Sequence, residues 1–153
     1  WHCARRAMEG GALETIDHEV VYGLLQERDP RLAEALLQPD TMTIPENGLA
    51  GAAYRGECSG PVFFEEPGAL RMRYTARKHN VIWKKDSLTQ EAVAVLHEIL
   101  NGSGDLIVRR SLKPGEGLIC ANVPHRRDAF IDSSRVSERR LMYRGRYNRP
   151  LGI

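Results

Sequence analysis

The sequence predicts a mainly β domain with helical decoration, built as an antiparallel barrel or sandwich. Two observations predict this class: helical patterns are few and lie mostly near the amino-terminal end, and short strand-like runs separated by Gly and Pro fill much of the remainder. The 153 residues suffice for one domain with its own core, so we expect a single domain over 1–153.

The first elements are predicted from caps and periodicity. A strand is expected over residues 1–8, and Gly10-Gly11 ends it. Asp17 is the expected N-cap of a helix that runs to about Gln26, with His18 beside the cap and facing solvent.

A second helix is expected from Asp29-Pro30, with Asp as the cap and Pro at the first helical position, and it stops before Pro39. Residues 44–60 are rich in Gly and Ala and predict a long loop. Strands are expected at Pro61–Phe64 and Leu70–Tyr74.

The clearest helix is predicted from Leu88 to Leu100, with Ser87 and Gln90 as a capping box and Asn101-Gly102 as its end. Its expected buried stripe is Leu88, Ala92, Leu96, Ile99 and Leu100. Three further strands are predicted, at Leu106–Arg110, Gly117–Ala121 and Arg139–Tyr147.

The overall charge argues against some classes of partner. A net charge of +2 is too small to predict binding to nucleic acid or to a membrane surface. The three cysteines are far apart and without metal-ligand spacing, which favours reduced thiols in a cytoplasmic protein. The charge is uneven, however, since eight arginines and only three acids lie between Arg126 and Arg149.

Two of these arginines predict an anion site. On a strand, Arg140, Met142 and Arg144 share one face, and two unpaired guanidinium groups on an inner face would be costly. A small acid would satisfy them through paired hydrogen bonds. His125 precedes this strand, and its side chain can point into the same opening of the predicted barrel. Imidazole is the commonest metal ligand among side chains.

The segment from Leu112 to Phe130, followed by Arg-Leu-Met-Tyr-Arg at 140–144, resembles the end of the taurine-dioxygenase-like family of Fe(II)/2-oxoglutarate-dependent oxygenases. In that family a Pro-Gly turn, a strand and an Asn precede the distal iron-binding His, and Arg-x-x-x-Arg follows. Gly10-Gly11 and the helices after it are also similar to the family.

The resemblance implies a double-stranded β-helix (jelly-roll) and Fe(II) held by two His and one carboxylate. By position, His125 is the distal metal ligand, Arg140 holds the far carboxylate of the cosubstrate 2-oxoglutarate, and Arg144 contacts the cosubstrate or an acidic substrate. The implied reaction uses molecular oxygen, converts 2-oxoglutarate to succinate and hydroxylates a small acidic or amino-acid-like substrate. No further catalytic side chain is assigned, and a homo-oligomer is compatible with the sequence.

The family's other iron ligands form a His-x-Asp or His-x-Glu motif upstream of the Gly-Gly pair. None of the five histidines here is followed two residues later by an acid, so we expect this motif in a segment preceding Trp1, which would make the jelly-roll incomplete at its amino-terminal side. Relatives often carry Thr two residues after the glycines; this chain has Leu13 there, with Thr15 at the same strand parity.

Two other functions compete with the oxygenase. The missing acid motif favours a non-catalytic jelly-roll module for binding or assembly that lacks iron. The arginine-rich end could bind nucleic acid, but no aromatic residues are interleaved with the arginines in a stacking pattern, so this function is disfavoured. For Arg126, Arg127, Arg135, Arg139 and Arg149 a solvated position is expected.

Overall fold

A computed structural model describes residues 1–46, 48, 54–66, 68–75, 81–102, 104–120 and 123–145. The described part contains three α-helices, many short antiparallel strands and two 3-10 turns (Gly104–Leu106 and Val136–Glu138). In chain order the helices and strands are β1 (His2–Arg5), β2 (Glu9–Gly10), β3 (Leu13–Thr15), α1 (His18–Arg28), α2 (Pro30–Leu36), β4 (Met42–Ile44), β5 (Cys58–Gly60), β6 (Phe63–Glu66), β7 (Ala69–Met72), β8 (Ile82–Trp83), α3 (Ser87–Gly102), β9 (Val108–Arg110), β10 (His125–Arg127), β11 (Phe130–Ile131) and β12 (Leu141–Tyr143).

The fold class is therefore mixed, with more helix than the predicted mainly β domain. The described strands form five separate sheets of two or three strands, and none of them closes into a barrel. The chain divides into two compact units, one made of residues 1–16 with 105–153 and the other of residues 17–104. The single-domain interpretation stays a prediction.

The second unit, residues 17–104, begins with two capped helices, as predicted. The Asp17 side chain accepts the backbone N–H of Glu19 at 2.8 Å, and Asp29 accepts that of Arg31 at 2.9 Å. The first helix runs two residues further than expected, to Arg28, and Asp29 then separates the two helices. The fully buried side chains of this unit include Val21, Leu25, Leu32, Leu36, Met42, Val62, Phe63 and Leu96.

The prediction for the third helix was wrong at its cap. Asp86, not Ser87, caps α3, since its carboxylate accepts both the backbone N–H and the hydroxyl of Thr89, at 2.9 and 2.8 Å. The Gln90 side chain donates instead to the carbonyl of Lys84. A carboxylate with two acceptor oxygens satisfies more donors than a serine hydroxyl, which moves the cap back by one residue. The buried face is Thr89, Ala92, Val93 and Leu96, which confirms Ala92 and Leu96 of the predicted stripe, while Leu88, Ile99 and Leu100 are half-buried.

Other predictions in this unit need correction. The end of the expected loop at 44–60 is strand β5, which pairs with β4, and residues 47 and 49–53 lie outside the described residues. His18 does not face solvent: it is 6% exposed, and its Nε2 donates to the carbonyl of Leu70 at 2.8 Å. The loop and histidine predictions failed because both depend on contacts with residues distant in sequence.

The first unit, residues 1–16 and 105–153, pairs the two ends of the chain. Strand β1 pairs with β12, β2 with β11, and β3 lies between β9 and β10, all antiparallel. Among its buried apolar residues are Cys3, Ala7, Ala12, Leu13 and Ile16.

The predicted strands of this unit are shorter in the structure. The strand predicted over 1–8 covers only His2–Arg5, and the one predicted over 106–110 covers Val108–Arg110. Within 139–147, the described strand is Leu141–Tyr143, and residues 146–147 lie outside the described part. The strand predicted at 117–121 was wrong in its described part: Gly117 makes an isolated bridge to His2, 118–120 are irregular, and residue 121 lies outside the described residues. This segment is held by backbone bonds to β1 and its neighbour Trp1, including Leu118 N–H to the Trp1 carbonyl at 2.8 Å.

Candidate functional site

A cavity of about 270 Å³ lies in the first unit, beside the glycine pair. Gly10 and Gly11 have φ values of 69° and 74°, a left-handed conformation that L side chains rarely adopt. A Cβ at position 10 would overlap the carbonyl oxygen of Ala129, so the tight pairing of β2 with β11 requires glycine there. A Cβ at position 11 would lie 3.5 Å from Nε of Arg140. Gly10 is therefore required by the close approach of β11, whereas a Cβ at position 11 would be in ordinary contact with the Arg140 guanidinium.

Arg140 is the predicted site residue that lines this cavity. It precedes β12, and its backbone N–H donates to Oδ1 of Asp132 at 2.6 Å, which fixes the position of its main chain. Its guanidinium carbon lies 5.3 Å from the ring centroid of Phe130. Burial lowers the pKa of Arg140, and the neighbouring charge of Arg127 lowers it further. The guanidinium still carries its charge at neutral pH, and a nearby anion would stabilise that charge.

The alternation predicted for the last strand holds only in part. Arg140 and Met142 both line the cavity, as expected for residues two apart on a strand. Arg144 is exposed and is not among the residues that line the cavity, and β12 ends at Tyr143. Arg140 and Arg144 lie one residue before and one residue after β12, so the strand alternation by itself does not explain why only Arg140 lines the cavity.

His125 lies on β10, directly across from Thr15 on β3. It is exposed, and its Nδ1 lies 2.9 Å from the carbonyl oxygen of Val123, which can only accept, so Nδ1 carries the proton and Nε2 is the nitrogen with a free lone pair. The ring packs edge-on against the indole of Trp1, with centroids 4.7 Å apart. Thr15, the residue at the parity expected for a cosubstrate threonine, is thus a neighbour of the candidate iron ligand.

The structure brings His125 and Arg144 together through Trp1. The guanidinium carbon of Arg144 lies 4.8 Å from the centroid of the same indole that His125 contacts. Neither His125 nor Arg144 lines the cavity that contains Arg140. The three predicted site residues therefore form two groups: Arg140 on the cavity wall, and His125 with Arg144 around Trp1.

Sequence reasoning missed an ionic cluster across the three-stranded sheet. Glu14, 9% exposed, pairs with Arg109 on β9 and with Arg126 on β10, the latter at 2.5 Å, and Arg109 also pairs with Asp128. Hydrogen bonds from Arg126 and then Arg109 lower the pKa of Glu14. Arg126 is exposed, as expected for a solvated arginine, and it also pairs with Glu14. The sequence offered only a weak signal, a single acid between apolar Leu13 and Thr15, a residue common in strands.

The described residues contain no group of three or more His, Cys, Asp or Glu side chains that could hold a metal ion. Among the helices in the described ranges, none is long and apolar enough to cross a membrane. In comparisons with known proteins, no family model matches this chain and no curated protein matches it.

Proposed function

We propose that this chain is the carboxy-terminal part of an Fe(II)/2-oxoglutarate-dependent oxygenase of the taurine-dioxygenase-like group, with a double-stranded β-helix fold. It would hydroxylate a small acidic or amino-acid-like substrate as 2-oxoglutarate is converted to succinate. The observation that carries the proposal is Arg140, whose guanidinium lines a cavity beside the glycine pair and forms no ion pair with any described residue.

The environment of Arg140 favours a carboxylate ligand. Its nearby acid, Asp132, accepts the backbone N–H of Arg140 instead of forming an ion pair with the guanidinium. Burial and the charge of Arg127 disfavour the charged form of Arg140 more than Asp132 favours it, so a bound anion would stabilise the guanidinium. Guanidinium binds carboxylate through two parallel hydrogen bonds, which gives the ligand a fixed orientation. This is the role that the resemblance implies for Arg140 toward 2-oxoglutarate.

The fit to iron is partial. His125 meets one requirement, because Nδ1–H is held by the Val123 carbonyl and Nε2 is left for a metal, the usual arrangement of a metal-bound histidine. The described residues do not complete a three-ligand site around it. The proposal therefore requires two ligands from outside the described part of the chain.

Calorimetric binding of 2-oxoglutarate to wild type and Arg140 variants tests the proposal. Because Arg140 is only half-buried, we expect Arg140→Ala to weaken binding by about 1.5–3 kcal/mol, the range for hydrogen bonds to charged groups. Arg140→Lys should recover little of the loss, because an ammonium cannot make the two parallel bonds. Arg135→Ala removes an exposed arginine paired with Glu138 and serves as the matched control. Equal affinity in wild type and Arg140→Ala would remove the assignment.

The iron assignment has a separate test. Protein purified anaerobically with added Fe(II) is analysed for bound metal, and His125→Ala is expected to lose the iron that wild type retains. His2→Ala, which replaces an exposed histidine on β1, is the control and should retain it. Iron retention that does not depend on His125 would contradict its role as a ligand.

A second candidate is a non-catalytic binding or assembly module that keeps the acid-binding cavity without iron. One observation favours it: within the described residues His125 lacks the other members of an iron triad. Wild-type protein that binds 2-oxoglutarate, retains no Fe(II) and shows no oxygen consumption after Fe(II) and ascorbate are added would establish this candidate over the oxygenase.

A further inference from the structure

The ionic cluster of Glu14, Arg109, Arg126 and Asp128 spans the three-stranded sheet that carries His125. Glu14, 9% exposed, is the direct cross-strand partner of Arg109 on β9 and of Arg126 on β10. One of its carboxylate oxygens accepts from Arg109, and the other accepts from Nε of Arg126 at 2.5 Å. Arg109 also donates to Asp128, which follows β10 directly. The cluster therefore holds the chain at two positions just after His125.

The register of β10 on β3 decides which face of the sheet His125 occupies. Successive side chains of a strand point to opposite faces, whereas cross-strand partners share a face. His125 pairs with Thr15, on the face opposite the ionic cluster. Leu13 shares that face with Thr15 and lines the cavity next to Arg140, so this is the cavity side of the sheet. A shift of β10 by one residue would move His125 to the other face.

Apolar burial and a single ion pair do not fix this register. Every residue of β9 and β10 is exposed, and register is weakly specified in strands that bury few apolar side chains. The pair between Glu14 and Arg126 is not sufficient either, because a shift by one residue would place Arg127 beside Glu14 instead. The sequence of β10 therefore allows a second register, in which its two faces are exchanged.

Asp128 distinguishes the two registers. The antiparallel pairing continues past β10, since the Asp128 N–H donates to the carbonyl of Ala12 at 3.0 Å. In the observed register the Asp128 side chain points to the same face as Arg126 and pairs with Arg109. After a shift by one residue it would point to the opposite face and lose this ion pair. Setting a register is the best-attested role of charged groups that are partly or fully buried.

We infer that the ionic cluster positions His125, because it fixes the register of β10 on β3 and so holds the imidazole on the cavity side of the sheet. The use of this position rests on the proposed function, in which His125 is an iron ligand. The Nδ1–H bond to Val123 fixes the ring only relative to its own strand, so the register determines where Nε2 lies relative to the cavity. Glu14 and Asp128 are positioning residues, since they act through Arg126 and Arg109.

Nuclear magnetic resonance of the full chain with a matched pair of variants tests the inference. Wild type should show a nuclear Overhauser contact between the ring of His125 and the methyl group of Thr15, since cross-strand partners lie about 5 Å apart. Arg126→Gln leaves Arg127 as the only arginine of β10, so this contact should be lost and a contact of His125 with Ile16 should replace it. Arg127→Gln, the same change at the next exposed arginine, should keep the wild-type contact.

Asp128→Asn is a second variant, because it removes the charge that separates the two registers and keeps the size of the side chain. It should show both contacts, of His125 with Thr15 and with Ile16, and it decides the test if Arg126→Gln does not fold. Fe(II) affinity, measured anaerobically, should fall about tenfold in Arg126→Gln, the scale for residues that support a metal ligand, and stay unchanged in Arg127→Gln.

The outcomes separate this inference from the proposed function. A contact of His125 with Thr15 that persists in both Arg126→Gln and Asp128→Asn overturns the inference, and so does an equal loss of this contact in Arg127→Gln. If iron retention depends on His125 but Arg126→Gln binds Fe(II) as tightly as wild type, the proposed function stands and the inference is overturned. If wild type retains no iron while the contacts change as expected, the proposed function fails and the fixed register stands.

Discussion

Gly10→Ala is the substitution for which the structure gives the most complete expectation. Alanine at position 10 must adopt the left-handed backbone conformation at φ 69°, which costs an L residue about 1–2 kcal/mol. Its Cβ also overlaps the backbone oxygen of Ala129, and relieving such overpacking costs about 1–3 kcal/mol more. We therefore expect a loss of about 2–5 kcal/mol in the free energy of unfolding of the first unit.

Gly115→Ala is the matched control in the same unit. Its φ is 89°, so it carries similar backbone strain, but a Cβ there meets no atom within 4 Å. We expect it to cost only about 1–2 kcal/mol, and the difference between the two variants isolates the clash with Ala129. Urea unfolding followed by circular dichroism measures both.

Hydrogen exchange then locates the damage. Gly11 N–H donates to Ala129 O, and Met8 N–H donates to Ile131 O, each at 3.0 Å, so both amides should lose protection in Gly10→Ala and keep it in Gly115→Ala. Equal unfolding free energies for the two variants would refute the claim that the close approach of β11 requires a residue without a Cβ at position 10.

Two further predictions concern charged groups. The pKa of Glu14 is lowered in the folded state, so its ionised form stabilises the fold above the ordinary carboxyl range. This stabilisation is lost as pH falls through the lowered pKa. Urea midpoints measured from pH 7 to pH 3 should therefore fall more steeply for wild type than for Glu14→Gln. The Arg73 side chain donates to four carbonyl oxygens, those of Met42, Cys58, Gly60 and Pro61. Arg73→Lys should therefore destabilise the second unit by about 2–4 kcal/mol in thermal unfolding. The control Arg31→Lys, at an exposed arginine paired with Asp29, should cost under about 1 kcal/mol.

Helix starts near the amino-terminal end were predictable because their determinants are local. Asp17 and Asp29 bond to amides two residues away, and Pro30 supplies a backbone angle that the first helical turn needs. The same reasoning predicted the cap of α3 wrongly, because Asp86 and Ser87 are adjacent candidates. Only the hydrogen bonds of Thr89 distinguish them.

Only part of the candidate site follows the alternation predicted for the last strand. Arg140 lies on the cavity wall with Met142, whereas Arg144 follows the end of β12 and packs on Trp1. Arg6 and Lys113, which also line the cavity, were missed because they are more than 100 positions apart in sequence. They share the cavity through the bonds between β1 and the 113–116 turn.

The ion pairs of Glu14 span 95 and 112 positions of the chain. Every described partner strand of β1, β2 and β3 follows residue 104, and the intervening residues form a compact unit of their own. During synthesis from the amino-terminal end, strands β1–β3 therefore meet their described partners only after β9–β12 leave the ribosome, while the inserted unit can already fold. We expect the apolar residues of these early strands to be the part of a nascent chain that most needs a chaperone.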